Sequence, residues 1–455
     1  AQDIALSVAT GVEYLRAMTS SGMDIDAAAK QILFRLSLGT EHFQGIAKLR
    51  AARWLWSRVL EASGASEDAW AMRIQTQTSR RVLTRHDPYV NLLRNSVAVF
   101  AGGIGGSDTI TSVPFDVMVG LPNALSRRIA RNTALVLQDE SHLHRVIDPA
   151  GGSWFLDQLT EDLANKAWEI FQETERQGGM LASLRNGWVA KEIDAVESAR
   201  AKDVALRKRG ITGVSEFPNA SEEPVERDQP DFESLGKAAA TRIGISRKAS
   251  YDTLSLDSVD DRVAEAVKAA VEGATLGQIS KGLGFQLGTA DKIQAIEPRN
   301  LAAPFERMRD ACEAWETVHG HRPRVFLANI GPASHYSGRA NWSTNFFEAG
   351  GFDVQGNQGF DDADAAVVAF GKSEAPIAVI CSSDKLYPQF VPLAAAKLKE
   401  AGARSVILAG KPGDQEEAWR TAGVDRFVFM RCNVLETLQT LLTDLGVCKE
   451  GEPVQ

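Results

Sequence analysis

Arg324-Val-Phe-Leu-Ala-Asn-Ile330, running on into Gly331-Pro-Ala-Ser-His335-Tyr-Ser-Gly338, decides the architecture of the C-terminal part of the chain. Consecutive apolar residues, rather than alternate ones, suit a strand buried on both faces. The glycine- and serine-rich stretch that follows reads as a loop carrying His335 at the carboxyl end of that strand, with a helix expected over 342–350. Further strands are expected near 352–356, 377–382, 405–409 and 426–430, and helices over 362–371, 389–401, 415–422 and 433–445. Five strands interleaved with five helices make an open doubly wound parallel sheet of the flavodoxin type, whose ligands sit at the carboxyl ends of the strands. His335, Ser382, Ser383 and Gly410 all fall at such ends.

Working outward toward the N-terminus, Ile4, Val8, Val12, Leu15 and Met18 mark one face of a helix over 2–20. Strand-like and helical stretches then alternate: strand 32–38, helix 42–62, strand 70–78, helix 88–100, strand 108–113 and helix 126–138, followed by helices near 158–175 and 184–207. About three strand–helix pairs give a portion of a parallel (β/α)8 TIM barrel. Along Met72–Thr78 the period of two puts Arg73, Gln75 and Gln77 on one face and Ile74 and Thr76 on the other. Either the polar face lines a wet substrate channel, which makes Gln75 and Gln77 candidate substrate-binding residues, or it meets solvent near a strand end. Residues 211–250, with the acidic, proline-containing run 216–230, read as a linker. Helices over 260–272 and 303–318 complete a connector. The expected division is 1–210, 211–320 and 321–455.

The 455 residues suit two or three domains, and the net charge of −9 is spread along the chain. That balance excludes nucleic acid and anionic membrane surfaces as expected partners. Cys312, Cys381, Cys432 and Cys448 are too irregularly spaced for a disulfide framework or a Cys-x-x-Cys metal site, so a reducing, cytoplasmic setting is expected. No apolar run reaches the ~18 residues of a membrane span. The start lacks a signal-peptide pattern and a methionine, and the reading frame is expected to begin upstream. Ala101-Gly-Gly-Ile-Gly-Gly106 follows a helix and leads to a strand, the reverse of a dinucleotide fingerprint, and reads as a helix stop. The acids at Asp361-Asp-Ala-Asp364 read as a helix N-terminus.

Several stretches carry a family resemblance: Ile46-Ala-Lys-Leu-Arg-Ala-Ala-Arg53, Thr76-Gln-Thr-Ser79, Asp87-Pro-Tyr89, Ser126-Arg-Arg-Ile-Ala-Arg-Asn-Thr133 and Asp148-Pro-Ala-Gly-Gly-Ser-Trp154. With them the chain resembles the methylmalonyl-CoA mutases over nearly its whole length. Gly213-Val-Ser-Glu-Phe-Pro-Asn219 is similar to the small, non-catalytic subunit of the two-subunit bacterial enzymes. The resemblance implies a barrel threaded by CoA, a C-terminal cobalamin-binding domain, and adenosylcobalamin-dependent radical interconversion of methylmalonyl-CoA and succinyl-CoA. It also implies a catalytic large subunit as partner.

In this family an Asp-x-His-x-x-Gly motif supplies a histidine ligand to cobalt. His335-Tyr-Ser-Gly338 is similar, which makes His335 the candidate cobalt ligand, but Ala333 stands where the aspartate belongs. Such orienting partners are typically worth about 10–100-fold in affinity or activity. Other family positions also differ. Gln31 and Leu33 replace CoA-binding Arg and Ser, and Arg80 replaces a glycine beside the corrin. Val117 replaces a glutamate, Cys381-Ser382-Ser383 stands at the Ser-x-Leu of the nucleotide-tail groove, and Ala409-Gly410 stands at its Gly-Gly. His335, Ser382 and Gly410 are thus the candidate cofactor contacts, in a departed motif. None of the seven histidines fits the family's active-site Tyr-His pair, and no residue is nominated as catalytic. The expected reading is a structural small subunit that binds no adenosylcobalamin itself and does not turn over alone. Two alternatives stand beside it: an active cobalamin-binding mutase chain using His335, and a non-catalytic corrinoid-binding or docking module.

Overall fold

The computed structural model describes residues 1–256, 260–285 and 293–449, so the expected connector over 211–320 lies partly outside the described residues. Helix α1 (Gln2–Ser20) buries Ile4, Val8 and Leu15, the face its spacing marks. Helix α2 (Ile25–Gln31) was not expected. Asp24 caps it by accepting from the Asp26 and Ala27 N–H groups, and the alanines at 27–29 favour helix. Gln31 therefore ends a helix and Leu33 lies before the strand, which corrects the strand expected from residue 32. Strand β1 (Phe34–Leu38) leads into α3 (His42–Ala62), β2 (Ile74–Thr78), α4 (Val90–Ile104) and β3 (Thr109–Thr111).

These strands form a parallel sheet in the order β1-β2-β3, with Phe34 opposite Ile74 and Thr76 opposite Ile110. Its apolar face, Phe34, Leu36, Leu38 and Ile74, joins a core with Leu49 and Trp56 of α3. On the other face, Arg35 and Ser37 are exposed and Gln75 and Gln77 are half-buried. Three parallel strands with helices on one face are what an arc of a (β/α)8 barrel contributes. Helix α5 (Ala124–Leu135) continues through a π-helical turn over 136–140. Helix α6 (Trp154–Arg176) starts at its Ser153 cap. The single helix expected over 184–207 is two, α7 (Gly179–Arg185) and α8 (Trp188–Ala205), broken at Gly187.

The expected linker holds a helix, α9 (Phe232–Ser246), capped by Asp231, which accepts from Ser234 N. Then come α10 (Arg262–Val271), α11 (Leu276–Gly282) with a reciprocal Thr275–Gln278 capping box, and α12 (Ala303–His319).

The second sheet comprises β4 (Arg324–Asn329), β5 (Asp353–Gln355), β6 (Ile377–Cys381), β7 (Ser405–Ala409) and β8 (Arg426–Val428). All pairs are parallel, in the order β5-β4-β6-β7-β8. That order is flavodoxin's, and the winding reverses between β4 and β6. On one face α12, α13 (Ala333–Glu348) and α17 (Val434–Asp444) enclose Val325, Leu327, Val379 and Ile407. On the other, α14 (Ala363–Ser373), α15 (Tyr387–Glu400) and α16 (Glu416–Thr421) enclose Phe326, Ala378, Ile380 and Val406. As the acid run suggests, Asp362 caps α14 by accepting from Ala365 N.

One boundary matters for function. Helix α13 starts at Ala333, not near 342, so His335 sits in its first turn and not on a loop. Gly331 makes the turn at φ 92°, Pro332 follows as N-cap, and Gly338 is tolerated inside the helix at about 1 kcal/mol. No helix among the described residues is long and apolar enough to cross a membrane.

Candidate functional site

At the point where the winding of the second sheet reverses, Asn329 of β4 and Cys381 of β6 are in register, so the loops leaving these strands face one another. Four polar stitches tie the ends of β4, β6 and β7 together. Ser382, fully buried, donates from Oγ to the Ile330 carbonyl at 2.8 Å. His335 Nδ1 lies 2.8 Å from Ser383 Oγ. The Tyr387 hydroxyl donates to the Ala409 carbonyl at 2.6 Å and accepts from Ser382 N at 3.2 Å. Burial pushes the Tyr387 hydroxyl up in pKa, which keeps it a donor, and pushes the Cys381 thiol up to about 12. The fourth stitch is Arg339, one turn beyond His335. Its Nη1 donates to the Ala409 carbonyl, and its Nη2 pairs with Asp384 Oδ1 at 2.7 Å. A Cβ on Gly410 would collide with that Nη1 and lie 3.0 Å from the Tyr387 ring.

A second cluster joins the loop after β2 to α12 and to residues 213–222. His86, 8% exposed, places Nε2 3.2 Å from Asp310 Oδ1 and Nδ1 3.6 Å from Glu222 Oε2. Glu306 Oε1 accepts from Arg85 N at 2.6 Å and His86 N at 3.3 Å. Burial works to lower the His86 pKa, but pairing with the Asp310 and Glu222 carboxylates outweighs it and the pKa is raised. Burial works to raise Glu222 and Asp310, yet bonding to His86 leaves both lowered. Donor atoms of His86, Asp310 and Glu313 lie within 4.8 Å of one another. Arg85 already pairs with Asp310, and the group is an ion-pair clasp.

Residues 1–289 match the family model described as methylmalonyl-CoA mutase. The chain belongs to the methylmalonyl-CoA mutase family. It is 39% identical over 447 residues to the methylmalonyl-CoA mutase small subunit of Streptomyces virginiae, covering 98% of this chain and 62% of that one. To the small subunit of Propionibacterium freudenreichii subsp. shermanii it is 35% identical over 450 residues, covering 98% and 61%. The methylmalonyl-CoA mutase of Escherichia coli strain K12 is 31% identical over 374 residues, covering 78% and 52%. The chain thus spans at most about 62% of the length of these curated relatives.

Methylmalonyl-CoA mutases in general use adenosylcobalamin, and the carboxyl-end crevice is where a doubly wound sheet would hold such a ligand. The residues present do not fit it. The space over Gly410 is filled by the Arg339 guanidinium, and His335 Nδ1 is engaged by a serine hydroxyl instead of a carboxylate. The structure brings His335, Ser382 and Gly410 to one sheet end. Gln75 and Gln77 are on the other sheet, where Gln75 Nε2 donates to Thr111 Oγ1 at 3.1 Å. Sequence reasoning missed Arg339, Tyr387 and Asp384. The i,i+4 spacing of His335 and Arg339 would have exposed the first, had the helix been started at 333. The His86 clasp had no sequence signal, since its partners lie more than 130 residues away.

Proposed function

We propose that this chain is part of the small, non-catalytic subunit of an adenosylcobalamin-dependent mutase interconverting methylmalonyl-CoA and succinyl-CoA. Its role is to hold a catalytic large subunit in a folded heterodimer in the cytoplasm, and the cofactor and the acyl-CoA belong to that partner. The observation that carries the reading is the crevice at the switch point, where Arg339, Tyr387, Ser382 and His335 bond to the chain itself. The free thiols of Cys312, Cys381 and Cys432 support a reducing compartment. The proposed division is 1–210 as barrel portion, 211–320 as connector and 321–455 as the flavodoxin-like domain, with α12 at the end of the connector completing that domain's core.

The test is co-expression with a large subunit, followed by gel filtration and a visible spectrum of each fraction. Obligate interfaces usually bury more than about 2,000 Å², so the two chains should co-elute at high salt, with the corrin absorbance following the large subunit. Separate elution beside a fully active large subunit would end the structural-partner reading. Tight cobalamin binding by this chain alone, abolished by His335→Ala, would favour the active-chain alternative.

A further inference from the structure

Gly410 stands where a ligand groove needs a small residue, yet the group pressed against it belongs to the chain. We infer that Arg339 is the specificity-determining residue of the crevice, an internal occupant of the space at Gly410 that a corrinoid's nucleotide tail would need. This rests on the proposed non-catalytic reading and names the side chain that enforces it.

Arg339 is held on several sides at once. From α13 it reaches past the end of β6 to the end of β7, where Nη1 donates to the Ala409 carbonyl and lies 3.4 Å from the Tyr387 hydroxyl. Nη2 pairs with Asp384, and the guanidinium carbon sits 5.3 Å from the centre of the Tyr387 ring. A planar fork bonded in this way loses little further freedom and is not replaced by a lysine. The absence of a side chain at 410 therefore accommodates the arginine. The remaining stitches do not depend on it: Ser382 still bonds Ile330, and Tyr387 still bonds Ala409. Truncating Arg339 should free the face of the Tyr387 ring while the sheet stays folded, and an aromatic face of this kind stacks a planar base.

The experiment uses the full chain and its Arg339→Ala, Arg339→Gln and Arg339→Lys variants. The probes are hydroxocobalamin and cobinamide, which shares the corrin but lacks the nucleotide tail, and the readouts are the thermal midpoint and tryptophan quenching. Neither probe should move the wild-type midpoint. Arg339→Ala should lower it by about 2–4 °C, and hydroxocobalamin should restore it while cobinamide does not. Arg339→Lys should fall without recovery. If the alanine variant does not fold, Arg339→Gln carries the same comparison. An unchanged midpoint in both neutral variants overturns the inference, as does a drop that hydroxocobalamin fails to reverse or that cobinamide reverses equally. In those cases the non-catalytic reading stands. Saturable hydroxocobalamin binding by the wild-type chain, lost in His335→Ala, would instead overturn the reading itself.

Discussion

At His86 three segments distant in sequence meet on one imidazole: its own loop after β2, Glu222 of the stretch before α9, and Asp310 of α12. Because the His86 pKa is raised above its ordinary 6.5, its contribution is fully present below the unfolded value and is lost as pH rises through the folded one. Glu222 and Asp310 are lowered, so theirs is present above their unfolded values and is lost as pH falls through the folded ones. The clasp is therefore strongest from above the ordinary carboxylate range up to the ordinary histidine value, and weakens from there to the raised one. Arg309 and Arg85 face the same carboxylates and remain charged throughout. His86→Gln should cost about 1–3 kcal/mol near pH 6, toward the low end because the Asp310 side chain is 41% exposed. The cost should shrink by pH 9. Urea denaturation of both proteins at the two pH values measures it, and a pH-independent difference would show that the histidine acts only by packing.

Among elements, the stretch 225–229 behaves least like the linker its acidic composition suggests. It lies as a strap along the loop after β3, where Leu121 N donates to the Asp228 carbonyl at 2.8 Å and Gln229 Nε2 to the Val119 carbonyl at 2.6 Å. Arg227 pairs there with the fully buried Asp116. A Cβ on Gly120 would come within 2.8 Å of Arg227 Cβ and of the Asp228 carbonyl, so Gly120→Val should lift the strap without touching the ion pair directly. Trypsin should then cut after Arg227 faster than in the wild type, and equal rates would mean the strap is already open in solution. Asp116→Ala strands Arg227 partly buried and should cost about 3–5 kcal/mol. The strap and the start of α13 were illegible for the same reason: polar, glycine- and proline-containing sequence reads as loop, and only distant partners show otherwise. The strands of the second sheet were legible because doubly buried parallel strands are continuous apolar runs, as in Ile377–Cys381. At the site, the positions at strand ends followed from that alternation, whereas their closure by Arg339 depended on a helix boundary.

Across the whole molecule the two sheets are not independent bodies. Leu301 N donates to the Arg81 carbonyl at 3.0 Å, Asn300 bonds the Arg80 and Leu83 carbonyls, and Val82 packs on the core of the second sheet. Helix α12 carries this junction, since its Arg309, 2% exposed, bonds the Gly213 and Asn219 carbonyls while Phe305, Met308 and Cys312 enter the C-terminal core. Strand alternation starts at Arg324 and so suggests a domain from 321, but a cut there removes the helix that covers Phe346, Phe347 and Phe352. Burying an apolar side chain of this size contributes about 1.5–3 kcal/mol, and the loss of Phe305 and Met308 together should exceed what a small sheet can spare. A fragment of residues 300–455 should therefore give a cooperative urea transition by circular dichroism, whereas 320–455 should unfold at markedly lower urea or bind a hydrophobic dye without denaturant. Equal midpoints for the two fragments would assign α12 to the junction alone and leave the C-terminal sheet complete from residue 321.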